Sequence, residues 1–309
     1  MNPQLILTKK KMNRSRIDIL EKYELLKRPL ILDGAMGSLL QQKNIPLHKN
    51  LWASIVNVTH PETIVEIHKE YIASGAEIIT TNTFRTNPNA MHHSNLNITN
   101  EEFIHCGVQL AFDSVYRNDM IIIAGSNAPA EDCYQIERSL THTKLDYNHK
   151  LHIEQLMECG CDIIWNETQS HWDEIKIITS FCSENAYPYV VNLYFNDELR
   201  LLSGEPLDEA VSFISEFSPA GIGFNCIKPE LLKRYFENNT PPLHWGFYLN
   251  CGAGDIHDEI IKCDLDPQGC SDEIKPLLKM NPMYLGSCCG STPHHTKAIK
   301  ELLDEVYRD

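Results

Sequence analysis

The chain has 309 residues, of which 42% are hydrophobic and 22% charged, the profile of a globular enzyme. Its 42 acidic against 27 basic side chains give a formal net charge of −15, which repels a phosphate backbone and argues against nucleic acid as a partner. Eleven cysteines, an odd count without framework spacing in a chain this long, point to reduced thiols and a cytoplasmic protein.

Residues 1–15 read as a polar lead-in. Its one apolar run, Leu5-Ile6-Leu7 before Lys9-Lys10-Lys11, is too short for a signal-peptide core or a membrane span, and no membrane partner is expected. Apolar positions at Ile17, Leu20, Tyr23, Leu25 and Leu26 predict a short helix that ends before Pro29, so residues 1–28 form an N-terminal extension. Eight apolar runs follow. They are Leu30-Ile31-Leu32, Ile78-Ile79-Thr80-Thr81, Ile121-Ile122-Ile123-Ala124, Ile163-Ile164-Trp165, Tyr189-Val190-Val191-Asn192-Leu193, Gly221-Ile222-Gly223-Phe224, Trp245-Gly246-Phe247-Tyr248-Leu249 and Met283-Tyr284-Leu285. Runs without polar alternation suit strands buried on both faces of a parallel sheet.

Helical periodicity falls between them, over residues 61–74, 148–158, 172–181, 206–217, 229–236 and 294–307. Eight strands alternating with helices predict an α/β fold, a (β/α)8 TIM barrel in one domain over residues 29–309. An open doubly wound sheet is the rival. It seldom needs eight units and usually opens with a phosphate-binding glycine loop, and neither G-x-G-x-x-G nor a Walker sequence is present.

A barrel places its chemistry just beyond the C-terminal ends of its strands. Six of the eight predicted strands end in polar or thiol groups: Asp33-Gly34-Ala35-Met36-Gly37, Asn82-Thr83-Phe84, Asn166-Glu167-Thr168, Asn225-Cys226, Asn250-Cys251-Gly252 and Cys288-Cys289-Gly290. Cys288 and Cys289 are adjacent, so a disulfide between them is strained, whereas both can turn thiolates toward one metal ion. Cys226, two strands away, supplies a third sulfur. Three thiolates leave one coordination position free, which is a catalytic rather than a structural zinc pattern. A lone cysteine is more often a small buried apolar residue, and a disulfide or redox switch at 288/289 stays open as an alternative.

Cys251 beside this rim reads as supporting or incidental. Cys106, Cys133, Cys159, Cys161, Cys182, Cys263 and Cys270 lack metal-like pairing, and His92-His93 and His294-His295 read as solvated surface pairs. Asp33 and Glu167 are the acids on the rim. Either can cap a helix or hold a loop, but two carboxylates with no nearby cation also suit a substrate ammonium group. A glycosidase-type acid pair would not need a three-thiolate metal.

Together these residues resemble the homocysteine S-methyltransferase family. The matching pieces are Leu32-Asp33-Gly34-Ala35-Met36-Gly37, Thr81-Asn82-Thr83-Phe84, Glu167-Thr168, Gly223-Phe224-Asn225-Cys226, Asn250-Cys251-Gly252 and Gly286-Ser287-Cys288-Cys289-Gly290 with Thr292-Pro293. The resemblance runs from about Pro29 to about Leu303. It implies a zinc-dependent methyltransferase, with Cys226, Cys288 and Cys289 as the Zn²⁺ ligands. Asp33 and Glu167 would hold the amino-acid portion of homocysteine, and Asn82, Thr83 and Asn225 would line the same rim. The implied partners are small molecules, homocysteine and a methyl donor, with methionine as product.

Chains of this length resemble users of S-methylmethionine or S-adenosylmethionine more than betaine or folate users. The segment Gly125-Ser126-Asn127-Ala128-Pro129-Ala130-Glu131-Asp132-Cys133-Tyr134 departs from the family's Gly-Pro-Tyr-Gly loop, and Glu131 and Asp132 there suit either a cationic donor or a solvated loop. Other readings are methylation of another thiol or selenol (selenocysteine, selenohomocysteine), betaine as donor, or a non-catalytic zinc- or amino-acid-binding barrel closed by Cys251.

Overall fold

The eight apolar runs pair side by side, all parallel, because chain that is buried on both faces can satisfy its backbone groups only through neighbouring strands. In the computed structural model, which describes residues 14–115, 120–253 and 261–308, they are β1 (Leu30–Ile31), β2 (Ile78–Thr80), β3 (Ile122–Asn127), β4 (Ile163–Gln169), β5 (Tyr189–Leu193), β6 (Gly221–Asn225), β7 (Trp245–Leu249) and β8 (Tyr284–Ser287). The order is β1-β8-β7-β6-β5-β4-β3-β2, and a parallel bridge from Leu32 to Ile78 joins β1 to β2 and closes the ring. The protein is a single-domain (β/α)8 barrel. Every residue of these eight strands is buried except Thr80 in β2 and Glu167 in β4. Both exceptions lie at the C-terminal rim.

The barrel interior is packed. Trp165 and Tyr284 meet edge-on with centroids 4.7 Å apart, and the Tyr284 hydroxyl donates to Asn192 Oδ1 at 2.5 Å. The N-terminal helix, Ile19–Leu26, is too short to be stable alone and holds its place by packing. Asp18 caps it, and Ile19 enters the interior cluster with Leu30, Ile163 and Met283. Asp162, just before β4, accepts from Ile17 N at 3.0 Å, from Ile123 N at 2.7 Å and from the Arg14 guanidinium. The extension therefore plugs the barrel floor, opposite the rim. The lead-in expected over residues 1–15 lies outside the described residues apart from Arg14 and Ser15.

Seven expected helices are present, as Ile19–Leu26, Pro61–Ala73, His142–Glu158, Trp172–Glu184, Leu207–Glu216, Pro229–Phe236 and Pro293–Val306. The helix expected from residue 148 starts earlier, at His142. Helices over Asn100–Ser114, Met36–Gln42 and Pro267–Ile274 were not expected from periodicity. Among the described residues no helix is long and apolar enough to cross a membrane. His92, His93 and His294 are exposed, as expected, but His295 is not. It is 2% exposed, with Nδ1 meeting the Thr292 N–H at 3.1 Å and Nε2 at 2.9 Å from the Leu265 carbonyl. It completes the start of the last helix.

Candidate metal and substrate site

Cys226 and Cys288 flank β7 from either side. The Cys226 N–H donates to the Tyr248 carbonyl at 3.1 Å and the Cys288 N–H to the Leu249 carbonyl at 2.6 Å, so strand pairing itself brings the two side chains over the end of β7. Cys226 has a left-handed backbone (φ 54°), which ends β6 abruptly and turns its side chain inward. The three sulfurs of Cys226, Cys288 and Cys289 lie within 4.8 Å of one another.

Cys226 and Cys288 are joined as a disulfide, with Cα atoms 5.6 Å apart, and Cys289 Sγ is 3.8 Å from Cys226 Sγ. The bond thus links β6 to β8 and not the neighbours 288 and 289, whose trans peptide disfavours direct pairing. Once reduced, the cluster is a set of three convergent thiols. Zinc–sulfur bonds of about 2.3 Å in a tetrahedron place sulfurs about 3.8 Å apart. The Cys226–Cys289 separation has that value, and all three cysteines line the cavity. The residues fit a zinc ion.

Cys251 takes no part in this cluster through its sulfur. Its Sγ sits 3.5 Å from Cys270 Sγ in the core, while its N–H donates to the Cys289 carbonyl at 3.0 Å. It supports the rim through its backbone. Cys270, for which the sequence offered no metal-like pairing, lies outside the three-sulfur cluster.

The sulfurs open into a cavity of about 900 Å³ that Asp33, Asn82 and Glu167 also line, together with Ser126, Trp52 and Phe84. Asp33 caps no helix. Its carboxylate accepts from Thr80 N at 3.0 Å and from Thr80 Oγ1 at 3.0 Å, which ties the ends of β1 and β2. Burial raises its pKa well above the usual carboxylate range, Thr80 opposes that rise, and the Glu167 charge adds to it. Glu167 accepts from the Ser126 hydroxyl and, at 3.4 Å, from the Tyr248 hydroxyl. Burial pushes it up to about 7 against those two hydrogen bonds. Burial and then the Glu167 charge push the Cys289 thiol up to about 11. Two enclosed carboxyls with only neutral donors around them are complementary to a cation.

Asn225 and Thr83 reach the rim but do not line the cavity. Asn225 Oδ1 accepts from Thr168 N at 2.8 Å and its Nδ2 donates to Thr168 Oγ1 at 2.9 Å. Thr168 is left-handed (φ 58°), at an irregularity where the register of β4 against β5 shifts between Asn166 and Gln169. The pair holds that bend, which turns Glu167 toward the cavity. Thr83 Oγ1 donates to the Ser126 carbonyl at 2.8 Å. Asn82 Nδ2 donates to the Ala53 carbonyl at 3.0 Å and to Asn57 Oδ1 at 2.9 Å, so its amide braces the wall it lines.

Three residues that hold the rim acids were given no role from sequence. Thr80 and Tyr248 sit inside apolar runs, where only the pleat decides which face each presents, and Ser126 falls in the segment after the third apolar run, where the strand continues to Asn127. Gly37 has a related role. A Cβ there would lie 2.3 Å from the Trp52 indole, so glycine lets that ring lie flat as cavity wall.

Comparison with known proteins identifies the family. The family model for homocysteine S-methyltransferase matches residues 30–303. Homocysteine S-methyltransferase YbgG of Bacillus subtilis is 24% identical over 91% of this chain and 95% of its own. The homocysteine S-methyltransferase of Escherichia coli is 24% identical over 91% of this chain and 96% of its own. Crystal structures of the E. coli homocysteine methyltransferase MmuM superpose with a TM-score of 0.77 in both a metallated and an oxidized form, at 22% and 23% identity, covering 92% of this chain and 99% of theirs. With a match that spans every barrel strand, the chain belongs to the homocysteine S-methyltransferase family.

Proposed function

We propose that the protein transfers a methyl group from a cationic donor, S-methylmethionine or S-adenosylmethionine, to the thiol of homocysteine, giving methionine, with Zn²⁺ held by Cys226, Cys288 and Cys289. The observation that carries this reading is the convergence of three sulfurs and two buried carboxyls on one cavity. A thiol such as that of homocysteine has a pKa near 8.5 and is mostly protonated at neutral pH. Zinc held by the three thiolates would lower the pKa of such a thiol and leave its sulfur electron-rich.

The chain's own residues do the rest. Asp33 and Glu167 receive the ammonium end of the amino acid, and the incoming cation lowers both carboxyl pKa values. Thr80, Ser126 and Tyr248 fix the two carboxylates so that the amino acid enters with its thiol directed at the sulfurs. The Trp52 and Phe84 rings, 5.8 Å apart, form an apolar wall that excludes water from the transferring methyl. The methyl carbon leaves the donor's onium centre with its bonding electrons left on the donor, and the homocysteine sulfur supplies the new pair.

The cysteines serve this role only when reduced, since the Cys226–Cys288 disulfide uses two of the three sulfurs. Reduced protein should take up one zinc per chain and, with homocysteine, convert a sulfonium donor to its demethylated product while methionine accumulates. Cys226→Ser should lose both zinc and methionine formation. The assay includes S-methylmethionine, S-adenosylmethionine, betaine and dimethylsulfonium compounds. Zinc-loaded protein that forms methionine with none of them overturns the reading, as does a zinc-free Cys226→Ser protein with full turnover.

A further inference from the structure

A cation lines the same cavity as the two rim acids. Arg85 follows β2, half-buried, with its guanidinium 5.4 Å from the centre of the Phe84 ring. Its Nη1 donates to the Glu131 carbonyl and, at 3.5 Å, to the Pro129 carbonyl. Among the described residues Nε and Nη2 have no hydrogen-bond partner, and no carboxylate pairs with the charge. The two acids of the adjoining loop are engaged elsewhere. The Glu131 carboxylate accepts from Ser139 N at 3.0 Å and Leu140 N at 3.2 Å, and Asp132 Oδ1 accepts from Tyr134 N at 2.9 Å. Sequence reading offered both to a cationic donor, but they close the loop on itself. A half-buried guanidinium without a counter-charge, in a chain of net charge −15, is a place for an anion.

Asn148 supplies a second unused donor. It is 2% exposed and lines the cavity from the helix His142–Glu158. Its Oδ1 accepts from Asn89 N at 2.9 Å, which fixes the orientation of the amide. Nδ2 is the end left over, and it is buried without a partner among the described residues. A buried N–H left unpaired is costly, so an acceptor belongs there. Asn89 ties this donor to the guanidinium, because its own Nδ2 donates to the Ala130 carbonyl at 2.9 Å, between the two carbonyls that hold Arg85. Arg85 and Asn148 are thus braced against one stretch, residues 129–131. Lys144, one turn before Asn148 on the same helix, also lines the cavity and offsets the charge of the loop acids.

We infer that Arg85 and Asn148 bind the carboxylate of the methyl donor, and so select an onium compound that carries a carboxylate over one that does not. The inference rests on the reading that this cavity transfers a methyl group to homocysteine. The free edge of the guanidinium matches a carboxylate with two parallel N–H groups, and the amide N–H takes a further lone pair. The ammonium and carboxylate of homocysteine share one carbon atom, so both stay near Asp33 and Glu167. Those acids are braced by Thr80, Ser126 and Tyr248, none of which is hydrogen-bonded to Arg85 or Asn148. The two charged ends of the cavity are built on separate supports, as two substrates require.

The test uses full-length, reduced, zinc-loaded protein with homocysteine and three donors. S-methylmethionine and S-adenosylmethionine carry a carboxylate, and trimethylsulfonium does not. Arg85→Met keeps the stem beside Phe84 and removes the charge. Asn148→Asp keeps the acceptor for Asn89 N and replaces the unused donor with an anion. The KM of the carboxylate donor that the wild type uses should rise about 100-fold in the first and about 10-fold in the second. The homocysteine KM, and turnover of trimethylsulfonium, should stay at wild-type values. Arg85→Lys should recover part of the loss. An equal loss with every donor would mean that Arg85 only anchors residues 129–131, and it overturns the inference. A homocysteine KM that rises in place of the donor's, or a donor KM that does not move, overturns it too; all three outcomes leave methyl transfer standing. Wild-type protein that forms methionine from none of the three donors overturns both.

Discussion

At the scale of single residues, the site depends on side chains that never touch the cavity. Asn225 is fully buried and spends both ends of its amide on Thr168, the residue that bends β4 in a left-handed conformation next to Glu167. A left-handed non-glycine residue costs about 1–2 kcal/mol, so the bend persists only because its neighbours over-determine it. Asn225→Ala leaves the Thr168 N–H buried without its partner, at about 1–3 kcal/mol, and frees Glu167 to swing. The expected outcome is a lower melting temperature and a homocysteine KM raised about 10-fold, because the ammonium contact is no longer preorganised. Asn225→Asp, which keeps the acceptor for the N–H, should recover part of both. An alanine variant with wild-type KM would show that the bend is decorative.

At the scale of elements, the strands were readable because chain buried on both faces has to be apolar throughout, and each break in that pattern marked the rim. Asp33, Glu167, Cys226, Cys288 and Cys289 stood out for that reason. The same property concealed Tyr248 and Thr80, since a residue inside an apolar run shows its direction only once the register is set. The helix Asn100–Ser114 was hidden for a different reason. Phe103, Ile104, Cys106, Val108, Leu110, Ala111 and Phe112 are all buried, so the apolar face takes most of the circumference, and only the narrow stripe of Glu101, His105, Gln109 and Asp113 and the Thr99–Glu102 capping box mark the helix. Asn225 and Glu131 are polar at plausible positions, and sequence alone could not tell a side chain offered to a ligand from one consumed by backbone. The N-terminal helix makes a further prediction. Ile19 is 3% exposed in the barrel floor, and Ile19→Ala should cost about 2–5 kcal/mol in urea unfolding. Methionine formation by the folded variant should stay near wild type, because the plug lies at the end of the barrel opposite the sulfurs. A large loss of kcat in folded protein would mean that floor and rim are coupled.

At the scale of the whole molecule, stability against pH is a balance of buried groups with opposite signs. Burial holds His68 at about 3, and both of its ring nitrogens are buried without a hydrogen-bond partner. Unfolded, the imidazole takes up a proton as pH falls through its ordinary value near 6.5, while the native state refuses it until about 3. The unfolded state therefore binds more protons across that window, and His68 removes stability as pH drops. Glu167, raised to about 7, acts in the other direction: its native form gains a proton before its unfolded form does, so its contribution to stability grows on acidification from neutral pH. The raw pH profile sums these terms and isolates neither. A difference between variant and wild type does isolate one. His68→Leu fills a similar volume without a titrating ring, so its stability relative to wild type should rise by about 2 kcal/mol between about pH 7.5 and about pH 5. Urea unfolding of the two proteins at both pH values measures this directly. A difference independent of pH would mean that His68 is protonated in the native protein, and that the helix Pro61–Ala73 opens to admit the proton.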